Sequence, residues 1–160
     1  LSAGAGHAVT KRGPGRVNIN GALRIPTFTI AEGILGGSGS LTNKLTFNSG
    51  TTFSPGSPLG TLAVDNSVVM NAGSTFLAQL AHTEAGMAEV FGDVTLADGV
   101  TIAAPDRPCL NRVILRYHGT LSGAFSVTNL PSGGRLSYGT GSDSEIRLTI
   151  PAPGTVLLLR

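Results

Sequence analysis

Residues that could do chemistry are few in this chain, and their spacing does not favour a reaction centre. His82 and Glu84 would lie on one side of a strand, but no cysteine or third ligand lies nearby, and protein zinc sites use three or four ligands. The stretch Gly37-Ser-Gly-Ser40 does not fit the Gly-x-Ser-x-Gly pattern of a nucleophile elbow. The sequence therefore predicts no catalytic, cofactor or metal site, and we expect a protein that is not an enzyme.

Two carboxylate patterns leave alternatives open. Asp93 and Asp98 could meet between neighbouring turns of the chain, as paired carboxylates do in polysaccharide-degrading enzymes. Against this, there is no Trp and only 5% of residues are aromatic, so the composition suggests no aromatic-lined sugar groove. The stretch Gly139-Thr-Gly-Ser-Asp143 is similar to a calcium-binding Gly-Asp repeat, but it occurs once and such sites need stacked copies. Carbohydrate processing remains the enzymatic alternative.

Composition favours an all-β chain with many turns. The 160 residues include 23 glycines and 9 prolines, both of which disfavour helix interiors. A hydrophobic fraction of 41% is enough for a core in one domain. The sequence contains no run of 18 apolar residues, so it predicts no membrane-spanning segment. Only 12% of residues are charged, about half the usual share. Such a surface suits a chain that packs against neighbours, and the alternative is an ordinary secreted β domain.

Positive charge predominates near both ends of the chain, in the first 24 residues and again from Arg107 onward, whereas 45–106 contains no Lys or Arg. The first 24 residues contain no acid and four basic residues, Lys11, Arg12, Arg16 and Arg24. The basic residues are scattered and no aromatic platform accompanies them, so the sequence does not predict nucleic-acid binding. The alternative explanation is chance asymmetry on a solvated surface.

A single cysteine and the first residues bear on processing. Cys109 cannot form an intramolecular disulfide, so it is either buried and inert among Pro108 and Leu110 or a route to an intermolecular bridge. Because the sequence begins with Leu1 and a run of small residues, we expect a processed or partial product of a secreted protein.

Short alternating runs predict strands from Val17 onward. The runs are separated by Gly, Pro, Asn and Asp, which are turn residues, and 75–80 is the longest clean run in the middle of the chain. Strands this short with frequent corners suit a β-solenoid. In 112–117 and 145–150 the charged and apolar residues alternate, which indicates one wet and one dry face and favours a closing cap.

The order of several motifs resembles the strand repeats of autotransporter passenger domains. The motifs, over roughly 33–150, are Gly36-Gly-Ser-Gly39, Leu45-Thr-Phe47, Ser54-Pro-Gly56, Gly60-Thr-Leu-Ala-Val64, Ala72-Gly-Ser-Thr-Phe-Leu77, Val94-Thr-Leu96 and Ser122-Gly-Ala-Phe125. The last residues, 150–160, resemble a Pro-Glu-Pro-type sorting signal in which Ala152 replaces the usual Glu and only four apolar residues precede Arg160. The alternative for 150–160 is a final strand after a proline-rich linker. The resemblance implies a scaffold rather than an enzyme.

We therefore predict an all-β protein, a right-handed parallel β-helix (β-solenoid) with a C-terminal capping β region. The expected segments are an extended N-terminal arm at 1–16, solenoid coils at 17–106, the capping region at 107–150 and a C-terminal tail at 151–160.

The predicted function is structural. Solenoid ends expose unpaired N–H and C=O groups, so a secreted or cell-surface protein of this kind can self-assemble by strand addition into a filament or surface layer. The arm and the tail have no obvious partner within the chain, so we expect subunit contacts from Val9, Lys11, Arg12, Val156, Leu157, Leu158 and Leu159. The expected partner is another copy of the chain, with no cofactor. The alternatives are a carbohydrate-binding or carbohydrate-processing β-helix with surface glycans as partners, and a passenger spacer.

Overall fold

The computed structural model describes residues 8–56, 59–81, 84–105, 110–140 and 144–152, and within these ranges it contains strands and no helix. Three large sheets hold most of the strands. Sheet A contains, in spatial order, β1 (Val9–Lys11), β4 (Thr27–Ile30), β7 (Lys44–Phe47), β10 (Val68–Met70), β15 (Val94–Leu96) and β18 (Leu121–Ser122). Sheet B contains β2 (Arg16–Asn18), β5 (Ile34–Gly37), β8 (Thr52–Pro55), β11 (Thr75–Leu77), β16 (Thr101–Ala103) and β19 (Val127–Asn129).

Sheet C is the one that changes strand direction. It contains, in spatial order, β3 (Ala22–Leu23), β6 (Ser40–Leu41), β9 (Thr61–Val64), β14 (Met87–Val90), β17 (Leu110–Tyr117), β21 (Glu145–Ile150) and β20 (Arg135–Tyr138). The pairings are parallel as far as β17, and β21 and β20 then add in antiparallel fashion. A small antiparallel hairpin, β12 (Leu80–Ala81) and β13 (Glu84–Ala85), is inserted between β11 and β14.

The chain visits sheets A, B and C in that order and then repeats. We call one strand from each sheet, taken in chain order, a unit; the first unit is β1, β2 and β3. Each strand of sheets A and B pairs in parallel with its equivalent in the next unit, as Phe28 opposite Leu45 and Leu35 opposite Phe53 illustrate. Equivalent side chains therefore stack in columns that run from unit to unit. The prediction of an all-β protein is confirmed, and its large sheets are mainly parallel.

Two expected segments differ in detail from the structure. Residues 9–11, expected in an arm without an intrachain partner, form β1, which pairs with β4 through residues such as Val9 and Phe28. The reason is that β4 supplies a ladder of backbone partners that a run of three residues does not reveal in sequence. Within 107–150, β18 and β19 continue sheets A and B, while only β17, β21 and β20 close sheet C.

The core consists of inward-facing residues from all three sheets. Alternate positions are buried in strands such as β9, where Leu62 and Val64 are fully buried. Four phenylalanines form a continuous row, with centroid distances of 4.7 Å for Phe47–Phe53, 5.5 Å for Phe53–Phe76 and 5.7 Å for Phe76–Phe125. Such offset and edge-on pairs stabilise beyond the area they bury. The row links the units across their interfaces.

Glycine corners between sheets A and B keep the units aligned. Gly50 and Gly73 have φ of 78°, and Gly99 has φ of 88°, which favours glycine. The N–H of Gly50 donates to the Gly73 carbonyl at 2.9 Å, and the N–H of Gly73 donates to the Gly99 carbonyl at 3.1 Å. Side chains close the same corners, since Ser74 Oγ donates to the Asn71 carbonyl at 2.7 Å. Stacked corners make the strands that follow them start at the same level.

Alanine substitutions at these glycines separate backbone strain from steric conflict. Gly50→Ala should lower the free energy of unfolding by about 1–2 kcal/mol, because it forces a left-handed alanine into open space. Gly73→Ala should cost more, since its new Cβ would also collide with Ser49 Oγ. Gly15→Ala is the control, with open space and no positive φ. Urea unfolding of the three variants tests the order, and equal midpoints for Gly50→Ala and Gly15→Ala would contradict it.

A carboxylate fixes the corner from sheet C back to sheet A. Asp93 Oδ1 accepts hydrogen bonds from the backbone N–H and the hydroxyl of Thr120, each at 2.8 Å. The Asp93 N–H donates to Ser67 Oγ at 3.1 Å. These residues immediately precede β10, β15 and β18, so they link three successive units. The hydrogen bonds from Thr120, that of the backbone N–H first, hold the pKa of Asp93 below its ordinary value.

The lowered pKa of Asp93 predicts a contribution to stability that is lost in acid. A carboxylate with a lower pKa in the folded state stabilises the fold above its unfolded pKa, and this contribution is lost as the pH falls through the folded pKa. Asp93→Asn should therefore reduce the loss of stability between about pH 5 and pH 2. Urea midpoints measured across that range test this. The exposed Asp65, whose carboxylate accepts no hydrogen bond in the described part of the chain, gives the control Asp65→Asn. If the urea midpoints of wild type and Asp93→Asn fell by the same amount as the pH is lowered, Asp93 would not contribute to stability in this way.

Candidate interaction surface

The first unit leaves one edge of every sheet open within the described residues. β1 pairs only with β4, β2 only with β5, and β3 only with β6. The outer N–H and C=O groups of such strands form a template for another strand. We call this surface the first-unit end.

An apolar cavity lies at the first-unit end. Its volume is about 370 Å³, and its apolar lining includes Val9, Val17, Ile19, Leu23, Ile25 and Phe28. Val17 is 37% exposed, although it occupies the same inward column as the fully buried Leu35 and Phe53. The core column therefore continues into the open end, because no described unit precedes the first.

Both inward columns end in accessible residues at the two ends of the stack. In sheet B the column runs Val17, Leu35, Phe53, Phe76, Ile102 and Thr128. Its four middle members are buried, whereas Val17 and Thr128 are exposed. In sheet A the column begins at Val9 and ends at Leu121, and both are only partly buried. Apolar side chains are thus available for burial where the sheets stop.

The ammonium group of Lys11 is bound within the chain, at the stacked corners of the first and second units. Its Nζ donates to the carbonyls of Gly13 at 2.6 Å and Glu32 at 2.8 Å, and Lys11 is buried. The Glu32 carboxylate in turn accepts from the Gly13 N–H at 2.7 Å. A Cβ on Gly33 would meet Lys11 Nζ at 2.5 Å, so glycine at this position leaves room for the ammonium group. Lys11 closes the corner between β1 and β2.

Arg16 also turns away from the open edge. Its Nε donates to Asn18 Oδ1 at 2.8 Å, and its Nη2 lies 3.3 Å from Ser54 Oγ, two units further along sheet B. Gly36 allows this path, because a Cβ there would meet Arg16 Nη2 at 2.5 Å. Native edge strands are often protected by charged side chains, especially lysine. Here the basic groups of β1 and β2 are engaged within the chain.

Of the seven residues predicted to make subunit contacts, the structure describes three. Val9 lines the cavity, Lys11 is buried, and Arg12 is exposed beside it. The tail residues, Val156, Leu157, Leu158 and Leu159, lie outside the described residues. Sequence reasoning missed Val17, Ile19 and Leu23, which it assigned to ordinary coils. Their alternation was visible, but their accessibility depends on being in the first unit.

The candidate chemical sites do not come together as reaction centres in the described part of the chain. Asp93 and Asp98 lie at opposite ends of β15, where Asp93 is bound by Thr120. His82 and Cys109 lie outside the described residues. No group of three His, Cys, Asp or Glu among those described could hold a metal ion. The same residues include no helix that is long and apolar enough to cross a membrane.

Comparison with known proteins adds no assignment. No protein-family model matches the chain. No curated protein matches it either.

The buried ammonium of Lys11 should stabilise the first unit. Lys11→Met keeps much of the aliphatic chain but removes a charged donor from two carbonyls, so we expect a loss of about 1–3 kcal/mol in the free energy of unfolding. Arg12→Met, at the exposed neighbour, should change it by about 0.5 kcal/mol or less. Urea unfolding compares the two variants. Equal stability of the two would show that Lys11 does not hold the corner.

Proposed function

We propose that the three sheets wind as a right-handed parallel β-solenoid, and that the protein is a secreted or cell-surface structural element without enzymatic activity. In this proposal copies join end to end by strand addition into a filament or layer. The observation that carries it is the first-unit end, where open strand edges surround an apolar cavity of about 370 Å³.

A second copy is the occupant that fits this end. Strands β1 and β2 at one end belong to the same sheets as β18 and β19 at the other, and all the pairings of sheets A and B are parallel. A copy shifted along the stack would therefore present β18 and β19 to β1 and β2 in the direction that the sheets already use. Such a head-to-tail contact does not close on itself and extends into a filament.

Side chains at the two ends support this pairing. Continuing the sheet A column across the contact would put Leu121 of one copy over Val9 of the next. Continuing the sheet B column would put Thr128 over Val17. Both additions would bury apolar surface that is accessible in the single chain, which favours association. The side chains of Lys11 and Arg16 form hydrogen bonds within the chain, so they would not place an unpaired charge between the strands that two copies bring together.

A charge in the cavity tests end-to-end assembly. Val17→Glu should place a carboxylate among apolar side chains and weaken association by about tenfold or more, because an unpaired buried charge is costly. Phe91→Glu is the matched control, since Phe91 is also an exposed apolar residue, at 48%, but lies between β14 and β15 rather than in the first unit. Light scattering after size exclusion, with negative-stain electron microscopy, measures assembly.

Three outcomes separate the alternatives. Large ordered assemblies of wild type and Phe91→Glu, with a folded monomeric Val17→Glu, would support the proposal. A wild-type monomer up to high micromolar concentration would refute it and favour the passenger spacer. Assembly that is unchanged by Val17→Glu would exclude the first-unit end as the contact. Urea unfolding of each variant distinguishes lost association from lost folding.

A further inference from the structure

A second concave surface lies on sheet C. It is an open groove of about 380 Å³ whose lining combines three parts of the chain. Parallel strands β9 and β14 contribute Thr61 and Met87, the hairpin contributes Glu84, and the antiparallel strands β17 and β21 contribute Arg112, Val113 and Arg147. None of these residues lines the cavity at the first-unit end. The groove is therefore a separate site.

A β-bulge shapes the arginine side of the groove. The register between β17 and β21 shifts between Val113 and Leu115, so that Val113 is opposite Arg147 and Leu115 is opposite Ile146. Ile114 and Leu115 are fully buried, whereas Val113 lines the groove. Bulges bend a strand and redirect its side chains, and they are frequent beside functional sites.

The groove carries a guanidinium group, that of Arg112, which has no acidic partner among the described residues. Arg147 is held by Glu145 Oε1 at 2.6 Å and by Asn111 Oδ1 at 3.2 Å. Arg112 donates to the Asn111 carbonyl at 3.0 Å, and it forms no ion pair in the described part of the chain. Glu145 already serves Arg147 and, at 3.7 Å, Arg116. Arginines on β17 and β21 thus outnumber the one carboxylate of these two strands, and among the described residues the Arg112 side chain donates only to the Asn111 carbonyl.

We propose that this groove binds a uronic-acid unit of an acidic polysaccharide through Arg112 and Arg147. A guanidinium group recognises a carboxylate with paired hydrogen bonds, which fits a sugar that carries one negative charge. Met87 and Val113 offer aliphatic surface for the C–H face of the ring. The Thr61 hydroxyl and the Glu84 carboxylate offer partners for sugar hydroxyls.

The other lining residues distinguish this ligand from a simple anion. Glu84 would repel a phosphate dianion more strongly than a monoanionic carboxylate, while it accepts hydrogen bonds from hydroxyl groups. The volume is within the range of about 300–1,000 Å³ that is typical of small-molecule sites. Because the groove is open, a polymer can run through it with one sugar unit seated. The proposal does not depend on assembly, since the groove and the first-unit end share no lining residue.

Oligogalacturonate is the direct probe, with dextran oligomers of equal length as the neutral comparison. Isothermal titration calorimetry of the full chain should show binding of the acidic oligomer only, and raised salt should weaken it. Arg112→Gln should weaken binding by about tenfold or more, because a charged hydrogen-bond donor is lost. Arg135→Gln, on the exposed strand β20 outside the groove, is the matched control and should bind as wild type does.

Inorganic phosphate and Glu84→Gln complete the test. Phosphate should compete poorly with the oligomer in wild type and better in Glu84→Gln, because that change removes the repelling carboxylate. Three results would each overturn the proposal. They are dextran binding as tight as that of oligogalacturonate, undiminished oligomer binding by Arg112→Gln, and binding of phosphate in place of the oligomer. Light scattering of the same samples gives the oligomeric state of each variant, so that a change in binding can be distinguished from a change in assembly.

Discussion

The structure depends on the stacking of equivalent positions from one unit to the next. In parallel sheets each residue lies beside its equivalent, so a column such as Leu35, Phe53 and Phe76 has to be apolar throughout. The corners have to repeat as well, because a corner of different height would move the next strand out of register. The glycine corners at Gly50 and Gly73 and the Asp93–Thr120 contact meet this requirement by different means, one through backbone conformation and one through a side chain.

Sequence patterns reveal the strands better than their partners. Alternation and turn residues predict the strands because burial on one face acts within a few residues. Pairing is harder, because strands of three or four residues carry little information about register. The β12–β13 hairpin, inserted between β11 and β14, also makes the units unequal and hides the repeat. Strand β1 was missed for a similar reason, since Val9–Lys11 becomes a strand only beside β4.

The candidate surfaces were visible in the sequence only in part. Val17 and Leu35 look alike as alternating apolar residues, and only their positions in the stack make one exposed and the other buried. Alternation along β17 and β21 predicted one charged face that would include Arg112 and Arg147, but the register places Arg112 opposite the buried Leu148 and Val113 opposite Arg147, although both arginines line the groove. It did not predict the groove, because the groove requires the bulge at Val113 and the wall formed by the hairpin. The sequence therefore predicted the types of residue at these surfaces, whereas tertiary structure determines which of them are accessible and which lie close together.

The change of direction in sheet C separates the two surfaces. Sheets A and B stay parallel to their last described strands, so they keep the same kind of edge at both ends. Sheet C continues instead through the antiparallel strands β21 and β20, and charged residues of β17 and β21 form ion pairs there. End-to-end addition would thus be made chiefly through sheets A and B. The arginine groove on sheet C would remain at the side of the assembly, where a polymer could reach it in every subunit.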